Sequence, residues 1–312
     1  MNEAPLPDAP PPVDPADASI FGPRRITQAL VILTAVVSCL IFRAAARVIH
    51  FPTEPGFHGV ILQPPGMQPG AAIVGMVLLV ICTLLGTLLL GRRWYLAGLM
   101  TGVTGLANWS VRGGPIEYVY FRANTFGQGG WVFAEMIVEL VLFFAVIGGL
   151  WNLLWTRHRR LPALSQADES SKGGRSTVPA ILAQTALMAM FVMILAATNQ
   201  KKQALASVFV AGLAATAIAE AWFTDARAGR WYWVAPLLVG LLGYAMGYFQ
   251  PSGIEIGTID PDRNFLAPLA HVLPLDYASL GCAGVLLGYW SASPDPEDEL
   301  EDSVAVAKPS PA

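Results

Sequence analysis

Long apolar runs separated by short polar or basic breaks dominate the chain. They cover residues 26–46, 71–90, 94–109, 131–155, 178–198, 204–223, 231–249 and 275–290. A bilayer core about 30 Å thick takes roughly 20 residues of helix. None of the runs alternates with period two, so each predicts a helix rather than a strand. Only helices and closed barrels satisfy their own backbone in lipid. The pattern therefore predicts an all-α, polytopic integral membrane helical bundle of about eight transmembrane helices. The last helix is the hardest to delimit, because Pro268 and Pro274 interrupt its approach. Starting it near Leu275 makes Asp276 its N-cap, a structural role for that acid.

The ends of these runs carry the expected markers. Trp94, Tyr95, Trp109, Trp131, Trp155, Trp231, Tyr232 and Trp290 sit at run boundaries, where aromatic rings favour the headgroup level. Gly98, Gly102 and Gly105 in the third helix, and Gly240, Gly243 and Gly247 in the seventh, suit close helix contact. The first run is longer than a signal-peptide core, so it reads as a retained helix. Residues 1–22, rich in Pro, Ala and Asp, and the acidic 292–312 segment read as disordered tails. Residues 161–177 read as a polar linker between two membrane units, 23–160 and 178–291.

Composition sharpens this picture. The chain is 54% hydrophobic and 13% charged, against about 25% charged in a soluble domain. The net charge of -3 hides an asymmetry, since ten of the 22 acids lie in the two tails. Between the tails, 12 acids face 18 Lys and Arg residues. With eight helices both termini share one side. That side holds twelve basic residues and the other seven. The positive-inside rule then puts both tails in the cytoplasm and the protein in the cell (inner) membrane. Cys39, Cys82 and Cys282 sit singly in apolar runs and read as small hydrophobes.

The two halves share a sequence order. Gly91-Arg92-Arg93-Trp94-Tyr95 opens the third helix and Gly229-Arg230-Trp231-Tyr232 the seventh. Ile116-Glu117 and Ile254-Glu255 follow at near-equal distance, each leading to Arg, Asn and Phe. This is the expectation of two tandem four-helix repeats. Because four is even, such repeats enter the membrane in the same direction, with their pseudo-two-fold axis along its normal.

Candidate chemistry is sparse. Glu135 and Glu139 stand at i, i+4 in the fourth helix, which puts both on one face. Acids at that depth usually face a bundle interior or a water path. The competing reading is a pair that pins helix packing. Glu220, near Arg227 and Arg230, reads as a surface ion pair. The outer loops offer Glu117, Arg122, Asn124, Glu255, Asp260, Asp262, Arg263 and Asn264. The run Asp260 to Asn264 also has the composition of a turn. His50, His58, His158 and His271 show no metal spacing, and Asn108-Trp109-Ser110 is a sequon at a membrane edge. No nucleotide-binding loop, nucleophile elbow, haem motif or nucleic-acid pattern appears. The sequence thus calls for no cofactor, no metal and no nucleic acid. Its partners are the lipid bilayer and a protein docked on the acidic C-terminal tail. Small-solute or ion handling fits best, with Glu135 and Glu139 in the pathway and the outer loops at its mouth. A membrane scaffold is the alternative. A membrane-embedded enzyme comes third, because no convergent nucleophile, base and oxyanion donor is visible.

Overall fold

Each apolar run forms a helix, and the packing shows which side each helix turns inward. The computed structural model describes residues 23–49, 69–90, 95–113, 116, 119, 130–158, 177–196, 200–223, 228–249 and 268–292. Its helices are α1 (Pro23–Ile49), α2 (Pro69–Leu90), α3 (Tyr95–Arg112), α4 (Trp131–His158), α5 (Thr177–Leu195), α6 (Lys201–Trp222) and α7 (Val234–Phe249). The chain then passes through a 3-10 turn (Pro268–His271), a helical turn (Pro274–Asp276) and a π turn (Tyr277–Gly281) into α8 (Cys282–Ala292). No strand occurs among the described residues.

Five helices, α1, α2, α4, α5 and α6, are long and apolar enough to cross a membrane. α7 is apolar but shorter. Their outward faces are greasy: Ile32, Leu88, Leu182, Val210 and Phe249 are exposed. In water such surface would be a liability, whereas lipid tails are its natural solvent.

Helix directions follow from side-chain pairings. Thr34 meets Thr101, and Phe42 meets Trp109, so α1 and α3 run parallel. Gly98 lies on Thr87 and Gly102 on Thr83, so α2 and α3 are antiparallel. Gly247 lies on Phe133 and Gly148 on Trp233, making α4 and α7 antiparallel. Gln184 bonds Thr216, and Gln203 bonds Leu195, making α5 and α6 antiparallel. Gly281 lies near Gly212 and Gly288 near Thr216, so α6 and the last helical stretch run parallel. Every pair agrees with strict up-down alternation. Ser110, Trp131, Lys201 and Asp276 consequently share one end of the bundle, and Trp155, Glu220, Tyr232 and Tyr289 the other.

Close contact depends on missing Cβ atoms. A Cβ on Gly102 would lie 2.1 Å from Thr83 Oγ1, and one on Gly284 only 2.2 Å from the Phe209 carbonyl oxygen. The expected glycine contacts of α3 are thus seen against α1 and α2, and those of α7 against α4 and the Pro268–Gly281 region. The α6–α8 seam was not anticipated. Helix pairing differs between the halves: α2 packs along α3, while α6 packs along α8 rather than α7.

The least certain helix of the sequence is the innermost element of the structure. From Leu269 to Leu286 every residue but Leu280 is buried. A helix apolar on all sides belongs inside a bundle, and this one contacts α3, α4, α6 and α7.

Candidate functional site: a lysine–aspartate pair at a helix break

The two prolines determine the local backbone. Pro274 takes the first helical position, where its missing N–H costs nothing, so the cap position falls on Leu273. This corrects the expectation that Asp276 is the N-cap. Asp276 is the third residue of the turn, and its own N–H bonds Leu273 O at 3.0 Å. Its carboxylate reaches back to accept the Leu273 N–H at 3.1 Å.

A broken backbone inside an apolar bundle must have its polar groups satisfied. Side chains do this here. Tyr277 donates to Leu269 O at 2.9 Å, and Tyr244 donates to Val272 O at 2.7 Å. His271 Nδ1 lies 3.2 Å from Ala196 O, which places the proton on that nitrogen. The Tyr244 and Tyr277 rings meet edge to face with centroids 6.3 Å apart.

At the centre of this arrangement lies Asp276, 0% exposed. Lys201, the first residue of α6, donates to both carboxylate oxygens at 2.5 and 2.7 Å. The Lys201 side chain is 13% exposed, so the pair is sealed from most of its surroundings. Ser110 of α3 donates its hydroxyl to Asp276 Oδ1. Four donor contacts from three helical elements thus converge on one carboxylate. Burying a charge is tolerated only when it is paired and hydrogen-bonded.

Of the residues singled out from sequence, Glu135 and Glu139 lie on α4. Glu139 is fully buried and Glu135, one turn toward the Lys201 end, is half-buried. α4 packs on α3, α7 and the Pro274–Gly281 turns, so its acids belong to the helix that walls the break. Glu117, Arg122, Asn124, Glu255, Asp260, Asp262, Arg263 and Asn264 lie outside the described residues, as do His50 and His58. Cys82 and Cys282 are buried and Cys39 half-buried. Ser110 of the sequon is fully buried on Asp276. Glu220 does not pair with Arg230, which bonds Asn152 at 2.7 Å and lies over the Trp231 ring. Arg227 lies outside the described residues.

In the sequence, Ser110 stood out only as part of a sequon and Lys201 only as one of the basic residues counted, and neither as a site residue. The available signal was a lone acid beside two prolines in one apolar run, and a lysine at the foot of another. Compared with known families, characterised proteins and solved structures, the chain matches none.

Proposed function

We propose that the protein is a multi-pass membrane protein that handles a small solute or ion, with the Lys201–Asp276 pair at the heart of its pathway. One observation carries the reading: a fully buried carboxylate, paired with a largely buried lysine, sits where the innermost helix is broken. Carriers build binding and coupling sites from discontinuous helices; here the break lies at the end of the bundle shared by Ser110, Trp131 and Lys201. Ionisable residues in membrane spans are functional candidates by default, and π turns such as Tyr277–Gly281 recur at functional sites. Glu139 and Glu135 of α4 are placed in the same pathway, toward the same end.

The alternation of helix directions supports eight crossings, with α3, α7 and the 274–292 stretch completing the five long spans. The excess of basic residues on the side of the termini supports cytoplasmic tails in a cell membrane. The sequence likeness of the halves supports a duplication, which the differing helix pairings would require to have diverged after it arose.

A second reading has its own support. All four donor contacts to Asp276 come from the protein itself, as in a brace that fixes the bundle. The protein is then a scaffold whose acidic tail docks a partner. Proteoliposomes separate the two. Under the carrier reading, pyranine-reported proton flux or light-scattering entry of small polar solutes exceeds that of empty liposomes. Asp276→Asn abolishes the excess. Flux equal to empty liposomes across both assays contradicts it.

A further inference from the structure

On the rim of the bundle away from Lys201, one cation is held in place without a counter-ion. Arg230 stands in the 3-10 turn (Ala228–Trp231) that leads toward α7, and it is partly exposed. Its Nε donates to Asn152 Oδ1 at 2.7 Å. Asn152 is pinned in turn, because its Nδ2 donates to Gly148 O, one turn back on α4, at 2.8 Å. The guanidinium lies 5.5 Å from the centre of the Trp231 ring. Trp231 stacks on Trp233 at 6.5 Å and 30°. Trp233 sits on Gly148, where a Cβ would come within 2.5 Å of its ring. A hydrogen bond and a ring stack thus fix the arginine, and both are anchored on the same turn of α4.

This fixation leaves the forward edge of the guanidinium open. Nε is spent on a neutral amide, so the positive charge stays uncompensated. Among the described residues no carboxylate forms an ion pair with Arg230. Neither Nη group has a hydrogen-bonding partner there, and neither is sealed in the interior. A guanidinium in this state offers parallel N–H groups that match two oxygens of one anion. A free arginine side chain loses rotamer freedom when it binds, whereas this one is already ordered.

The surroundings decide which anion. Trp231 is 39% exposed and Trp222, at the same end, 62% exposed, which marks the headgroup level. From Asn152 toward the bundle centre, α4 turns an uncovered face outward. A Cβ on Gly149 would meet nothing within 4 Å, and Leu142 and Val138 are exposed. A lipid phosphate seated on Arg230 has room for its acyl chains along this face, from which a water-soluble anion gains nothing. A zwitterionic lipid brings an ammonium group that the arginine repels, and an anionic lipid does not.

We propose that Arg230, Asn152 and Trp231 form a seat for the phosphate of an anionic phospholipid. The proposal rests on the membrane reading and not on the carrier reading.

The test uses the full chain in phosphatidylcholine nanodiscs. A chain that does not enter the disc refutes the membrane reading, separately from the lipid seat. Brominated phosphatidylglycerol is introduced stepwise, and its quenching of tryptophan fluorescence is compared with that of brominated phosphatidylcholine. Phosphatidylglycerol is preferred about five- to tenfold. Arg230→Gln brings the two lipids to parity. Asn152→Asp does the same with the arginine intact, because it supplies the missing counter-ion in nearly the same shape. Arg230→Lys keeps the charge without the fork and loses most of the preference. Excess inorganic phosphate leaves the wild-type preference unchanged. Equal quenching by the two lipids, displacement of phosphatidylglycerol by inorganic phosphate, or full preference in any of the three folded variants overturns the proposal. Where Arg230→Gln does not fold, Asn152→Asp decides.

Discussion

Lys201→Met tests the buried pair most severely. It removes two of the four donor contacts to a carboxylate that is 0% exposed. Ser110 and the Leu273 N–H remain, but neither carries a charge. Removing one member of a buried ion pair costs about 3–5 kcal/mol, or roughly 10²–10⁴ in the folding equilibrium. Asp276→Asn is milder, about 1–3 kcal/mol, because the 13% exposed lysine can swing its head toward the bundle rim. The double variant removes both charges and keeps an amide in reach of Ser110 and Leu273. It is therefore more stable than Lys201→Met alone, although it carries one more substitution. Reversible unfolding of all four proteins in mixed micelles measures the coupling, expected at about 2 kcal/mol or more. Additive losses, or a Lys201→Met cost below about 1 kcal/mol, refute the claim that the charges lean on each other.

Three further outcomes are expected. Gly284→Val forces side-chain atoms against the Phe209 carbonyl and costs about 1–3 kcal/mol in the same unfolding assay, whereas Gly149→Ala, which meets nothing within 4 Å, is neutral or gains up to about 1 kcal/mol. Tyr244→Phe strips a buried carbonyl of its 2.7 Å donor and lowers stability by about 1–3 kcal/mol while leaving helix content by circular dichroism unchanged. A fluorescent-protein fusion at the C-terminus glows and an alkaline-phosphatase fusion there is inactive, as a cytoplasmic tail requires; the reverse pattern removes one crossing from the account.

The helices were legible because length and hydropathy are local properties. The runs at 71–90 and 131–155 reappear as α2 and α4 within a few residues. The α3 glycines were legible too, since small residues one turn apart announce close contact. The site was not. Lys201 and Asp276 are 75 positions apart, and Ser110 and Asp276 are 166 apart. Nothing local to either partner signals the other. Asp276 read as a cap because capping is the commonest local use of an acid near a helix start. Pro274 moved the cap three residues earlier, to Leu273, and left the Asp276 carboxylate to accept the Leu273 N–H together with longer-range donors. Glu220 misled in the same way: nearby arginines suggested a partner, but Arg230 turns to α4 instead.

The claim that matters most is that a water path reaches the buried pair. With Cys39, Cys82 and Cys282 replaced by alanine, Ser110→Cys puts a thiol of nearly the same size beside Asp276. A charged, membrane-impermeant thiol reagent is then added to intact cells and to inverted vesicles. Labelling from at least one side is expected, faster when Lys201→Met opens the pair. No labelling from either side, in protein shown to be folded, contradicts the pathway and leaves the pair as a structural brace.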